Sequence, residues 1–169
     1  MNKKEDIYKI TCIVLLIDQF IKFLVNKFIE INTEIKVIPN FFSIFYVRNK
    51  GAAFSILEDN TILIIVISII FVFILDHYIK AQEKFTKLNC FSLGIILGGI
   101  FGNLLDRIIY HSVIDYLAFN VLEYTFPIFN LADIGITIGT CLLIIEFIKE
   151  EGKKKKNHEG NIKRNNKRS

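Results

Sequence analysis

The chain of 169 residues has only three cysteines, and no two of them have a paired spacing. Cys12, Cys90 and Cys141 each lie inside an apolar run. That argues against a disulfide framework or a cysteine metal site and reads the three as small buried hydrophobes. There is no P-loop, no metal-ligand cluster and no Ser/His/Asp arrangement, so no metal and no cofactor is expected. No small-residue cleavage site follows the first apolar segment, which therefore reads as a retained span. Internal repeats are absent. Residues 61–75 carry no charge at all, and residues 111–126 carry no Lys or Arg.

Apolar residues make up 52% of the chain, and mean hydropathy is +0.43. Charge collects at the N-terminus, near residues 80–87 and after residue 150. This is the pattern of a multispanning membrane protein, not of a soluble core with a polar coat. Four spans are expected, over about residues 7–28, 61–80, 88–110 and 127–148. Residues 30–60 mix β-branched and aromatic side chains with polar ones, which suits short strands or an interfacial sheet. The fold expected is thus all-α and polytopic, with four transmembrane helices and a small extracytoplasmic β or interfacial segment between helices 1 and 2. Gly94, Gly98 and Gly102, and then Gly135 and Gly139, recur every four residues and mark tight helix contacts. Residues 1–150 form the membrane domain. Residues 151–169 read as a disordered basic cytoplasmic tail near anionic membrane lipid. Without a soluble reader domain, no nucleic-acid partner is expected.

Lys and Arg flank the spans unequally. The N-terminus, the 80–87 loop and the tail are basic, which places both termini in the cytoplasm and both long connections outside. Against that background several buried charges stand out. A charge near hydrocarbon costs roughly 2.5 to 3.5 kcal/mol on insertion scales. Asp18 and Lys22 sit four apart on one helical face, acid first, and read as a structural ion pair. Asp106 is followed by Arg107, lies three residues from Asn103, and reads as structural too. Asp115 and Asp133 have no cation nearby in sequence and fall on the same, outer side. Asp115 follows the third span, and Asp133 lies about one and a half turns into the fourth, three residues after Asn130. Two such acids at one depth suit a pair that shares a proton. They are also compatible with a small transporter's path or with a helix-packing scaffold.

Four groups of residues then resemble one family. They are Asp18-Gln19 with Lys22; Asn49 with Gly51-Ala52-Ala53-Phe54; Gly98-Gly99, Gly102-Asn103, Asp106-Arg107, Val113 and Asp115; and Phe129-Asn130 with Ala132-Asp133. In this order, over residues 7–148, the chain resembles the bacterial lipoprotein signal peptidases, the type II signal peptidases of the aspartic class. The resemblance implies that Asp115 and Asp133 are catalytic. It also implies that Asn49, Gly51, Asn103, Asp106, Arg107, Asn130, Asp18 and Lys22 bind substrate or support the site. It implies a multi-pass enzyme of the bacterial cytoplasmic membrane, taken here as a monomer, that cuts lipidated prolipoproteins just before the diacylglyceryl cysteine. His111, Ile100 and Tyr116 depart from residues common in the family.

Overall fold

The computed structural model describes residues 3–51, 60–121 and 124–165. In chain order the elements are α1 (Lys3–Phe28), β1 (Glu34–Ile38), β2 (Phe42–Asn49), α2 (Thr61–Ala81), α3 (Lys87–Tyr110), β3 (Val113–Val121), β4 (Tyr124–Thr125) and α4 (Leu131–Asn165). Ala52, Ala53 and Phe54, which belong to the second group of family residues, lie outside the described residues.

Among the described residues, three helical segments are long and apolar enough to cross a membrane: Thr61–Ala81, Lys87–Tyr110 and Leu131–Gly152. The α3 segment is 67% buried and the other two 11%, so α3 is the axis of the bundle. It packs against α1, α2 and α4. The outer helices turn large apolar side chains outward, among them Ile62, Phe73 and Ile74 on α2. Such a surface suits lipid and not water. With 26 residues α1 is long enough to span, but Asp18, Lys22 and Lys27 interrupt its C-terminal half. Of the cysteines only Cys90 is buried; Cys12 and Cys141 are exposed on the outer faces, not buried as expected.

The glycine rows do what their spacing suggests. A Cβ on Gly98 would lie 2.7 Å from the Cβ of Val14, so α1 and α3 touch almost backbone to backbone. On the adjoining face, a Cβ on Gly99 would lie 2.5 Å from the carbonyl oxygen of Ala132 in α4. Close approach of this kind needs small residues. It also brings short side chains on three helices within mutual reach.

The sheet differs from the expectation, and the chain is therefore not all-α. Its four antiparallel strands run in the order β1-β2-β3-β4. The last two come from the 111–126 connection, not from the segment between helices 1 and 2. β2 pairs with β3 through Arg48↔Ile114, Val47↔Asp115 and Asn49↔Val113. The run Val113–Val121 is rich in β-branched and aromatic residues, and it finds its partner more than sixty residues back in sequence. α3 is capped by His111, which takes a left-handed φ of 55° and donates its N–H to the Arg107 carbonyl. Glycine or asparagine adopts that conformation at lower cost, which gives a physical reason for small residues at this position.

α4 begins at Leu131 instead of near Pro127, and its backbone continues to Asn165. Residues 151–165, placed in a disordered tail by composition, are thus helical in backbone. Their Lys and Glu are good helix formers. The start of α1 meets the end of α2: Tyr8 Oη donates to Asp76 Oδ1 at 2.7 Å and Lys4 Nζ to the Lys80 carbonyl at 2.8 Å. The sheet lies at the opposite end of the bundle.

Candidate active site

Five elements converge where the sheet meets the helices. α1 supplies Asp18, Gln19 and Lys22, and α3 supplies Asn103, Asp106 and Arg107. Asn49 comes from β2, Asp115 from β3, and Asn130 and Asp133 from the start of α4.

Lys22 is 1% exposed and sits between two acids that are fully buried. Its ammonium lies 2.8 Å from Asp18 Oδ2 and 3.0 Å from Asp106 Oδ2. The i,i+4 pair expected from the sequence is therefore present. The pairing of Asp106 with Arg107 is not. Successive helical residues point about 100° apart, so neighbours cannot face each other. Asp106 takes Lys22, the Gln19 amide at 3.0 Å and the Ile114 N–H at 3.1 Å. Arg107 turns away and donates to the carbonyls of Gly51, at 3.1 Å, and Asn103, at 3.3 Å. Its Nε has no partner among the described residues.

Asp115 and Asp133 are held by amides. Asn49 Nδ2 donates to Asp115 Oδ2 at 2.8 Å, and Asn130 Nδ2 donates to Asp115 Oδ1 at 2.7 Å. Asn49 is itself fixed, because its Oδ1 accepts the Gly51 N–H at 2.9 Å. Asn103 Nδ2 donates to Asp133 Oδ1 at 2.7 Å. Asn130 caps α4: its Oδ1 accepts the Asp133 N–H at 3.0 Å, and its own N–H donates to Asp133 Oδ2 at 3.2 Å. This is a reciprocal capping box with Asn in place of Ser or Thr and Asp in place of Glu. Asp133 is consequently in the first helical turn, near the positive end of the helix dipole, and not one and a half turns in. A single asparagine thereby touches both acids.

The Asp115 carboxyl is 2% exposed and is pushed up to about 7. Burial is the largest cause and the neighbouring Asp133 the second, with the two asparagine amides and Lys22 pulling the other way. Burial also pushes the Tyr116 hydroxyl up. That hydroxyl accepts the Leu131 N–H at 3.3 Å and joins β3 to the start of α4.

All ten residues singled out in the sequence lie in or directly beside this cluster. Gln19 was visible only as part of a family group, and the structure gives it a contact with Asp106. A further triangle went unread: Tyr46 Oη donates to Asn26 Oδ1 at 2.7 Å, and Arg48 donates to both. It ties β2 to α1, and no local sequence pattern announces it. Among the described residues, no group of three or more His, Cys, Asp or Glu side chains could hold a metal ion.

The raised Asp115 carboxyl has a consequence for stability. The folded protein holds a proton there up to about pH 7, whereas the unfolded chain releases it near pH 4. Between those values the folded state binds more protons, so stability should fall as pH rises from about 4 to 7, by at most about 1.4 kcal/mol per pH unit. Thermal unfolding in detergent across that window should show this slope. In Asp115→Asn the slope should flatten, and an unchanged slope would mean that another group titrates.

The family model for signal peptidase (SPase) II matches residues 10–149. Two solved structures of bacterial membrane enzymes are similar to this chain. One has a TM-score of 0.80 at 32% identity and covers 86% of this chain and 88% of its own. The other has a TM-score of 0.75 at 32% identity, with 83% and 90% covered. A match over this length, with the fold shared at that identity, leaves one conclusion: the chain belongs to the signal peptidase II family, the aspartic peptidases that process bacterial lipoproteins.

Proposed function

We propose that Asp115 and Asp133 share one proton and together activate a single water against the peptide bond before the lipidated cysteine. The observation that carries this is Asn130, which donates to Asp115 Oδ1 at 2.7 Å while accepting from and donating to Asp133. One residue thus holds the buried Asp115 carboxyl with its side-chain amide and the half-buried Asp133 carboxyl with its main-chain N–H. Like charges there favour one protonated and one ionised partner. The ionised carboxylate takes a proton from water as its oxygen attacks the scissile carbonyl carbon. The protonated partner gives its proton to the carbonyl oxygen. As the tetrahedral intermediate collapses, one of its hydroxyls returns a proton to the carboxylate that gave one up, the C–N bond breaks, and the other carboxyl passes the proton it took from water to the cysteine nitrogen. The signal peptide leaves with a new carboxyl end.

Several features support the remaining parts of the reading. α1 serves as a fourth span: its charged pair faces α3 and its apolar side chains, including Leu16 and Phe20, face outward. Exposed Ile35, Val37 and Ile38 on β1 and Phe41 in the turn after it suit the headgroup zone where a lipidated cysteine lies. Lys and Arg at the opposite end support cytoplasmic termini, with residues 151–169 against anionic lipid. One chain supplies both acids and the amides that hold them, which supports a monomeric enzyme.

Single-turnover cleavage of a lipidated prolipoprotein tests the mechanism. Asp115→Asn and Asp133→Asn should each lose nearly all activity, on the order of a thousand-fold or more, and the double variant should be little worse, because the two act as a unit. Substantial cleavage by folded Asp133→Asn would overturn the proposal. For orientation, a reporter fused after Ser169 should be active only if it works in the cytoplasm. Activity from a reporter that functions only outside would reverse the topology.

A further inference from the structure

The position of Lys22 is more specific than charge neutralisation requires. Its three N–H groups go to three different acceptors: Asp18 Oδ2 at 2.8 Å, Asp106 Oδ2 at 3.0 Å and Asn103 Oδ1 at 2.9 Å. Each acceptor then reaches the acid pair. Asp18 Oδ1 accepts the N–H of Ala132 at 3.0 Å, the residue directly before Asp133. Asp106 Oδ2 accepts the N–H of Ile114 at 3.1 Å, the residue directly before Asp115. Asn103 donates its Nδ2 to Asp133 Oδ1 at 2.7 Å.

The last contact depends on Lys22 for its direction. An ammonium can face only the oxygen end of the Asn103 amide, so the nitrogen end must face Asp133. Asn130 Nδ2 also approaches Asn103 Oδ1, at 3.1 Å. That nitrogen has two hydrogens for three acceptors, the others being Asp115 Oδ1 at 2.7 Å and the Ile114 carbonyl at 3.3 Å. Lys22 therefore does most to fix the Asn103 amide. Removing it frees the amide to turn and present its oxygen to a carboxylate.

Resting on the aspartate-pair reading above, we infer that Lys22 is a positioning residue for that pair. Through Asp18, Asp106 and Asn103 it sets where both carboxyls stand, and its buried charge favours the ionised form of Asp115. Among the described residues, the charged and titratable groups around the pair are Asp18 and Lys22 from α1, Asp106 and Arg107 from α3, and the Tyr116 hydroxyl from β3. Lys22 and Arg107 are the cations among them. A residue that only held α1 to α3 would influence yield but not the proton affinity of the pair.

The test compares Asp18→Asn with Lys22→Met/Asp18→Asn. Lys22→Met alone strands two buried acids and is expected to fold poorly. In the Asp18→Asn background only one such acid remains, and the substituted amide still offers an oxygen to the Ala132 N–H. Relative to Asp18→Asn, the double variant should keep its KM for lipidated substrate within about three-fold while its single-turnover rate falls at least ten-fold. Without substrate, the midpoint of its pH-dependent thermal unfolding should rise by half a unit or more. Lys22→Arg is the second probe. It keeps the charge and so the midpoint, but its planar fork cannot meet three convergent acceptors, and its rate should fall. Wild-type-like rate and midpoint per folded molecule in these variants would reduce Lys22 to a structural ion pair. If Asp115→Asn still cleaves, the aspartate-pair mechanism fails. The substrate-free midpoint then still decides the role of Lys22.

Discussion

One buried ammonium must serve the acids at the sheet end of the bundle. Asp18, Asp106 and Asp115 are all at or below 2% exposure, and the half-buried Asp133 is tied to the same cluster through Asn103 and Asn130. Lys22 is committed by direct contact to Asp18 and Asp106. Asp115 and Asp133 are left with asparagine amides and backbone N–H groups. Neutral donors stabilise a carboxylate less than a cation does. The division of partners thereby separates two acids that share a buried cation from two held by neutral donors, of which Asp115 is pushed up to about 7.

That division depends on close packing. Lys22 can reach Asp106 and Asn103 because α1 lies against the glycine row of α3, and Gly102 leaves room for the Asp18 carboxylate itself. The start of α4 comes close because Gly99 accepts the Ala132 backbone. The sheet completes the site from the other side, with β2 bringing Asn49 onto Asp115 and β3 carrying Asp115 beside the α4 cap. In a membrane, where few other groups could satisfy these polar atoms, such convergence is what makes four carboxyls in one cluster tolerable.

Much of this was readable from local pattern. The spans near α2 and α3 follow from long uncharged or glycine-marked runs, and the Asp18–Lys22 pair follows from helical spacing. Partners distant in sequence were not readable. Arg107 looked like the cation for Asp106 because it is adjacent, yet the helix directs the two apart and Lys22 arrives from α1. β3 read as a connection because its pairing partner lies before α2. The start of α4 was misplaced because Pro127 is tolerated at a first helical position. Asn130 and Asp133, three apart, would have identified the cap had that start been set at Leu131. The family groups named the cluster's members, but not who bonds whom.

The central claim is that the two aspartates activate water and do not themselves attack the peptide. Single-turnover cleavage in ¹⁸O-labelled water, followed by mass analysis of both products and of the enzyme, addresses it directly. The account predicts one labelled oxygen in the new carboxyl end of the released signal peptide and none in peptides containing Asp115 or Asp133. Label in either aspartate, or a trapped acyl-enzyme on one of them, would contradict it.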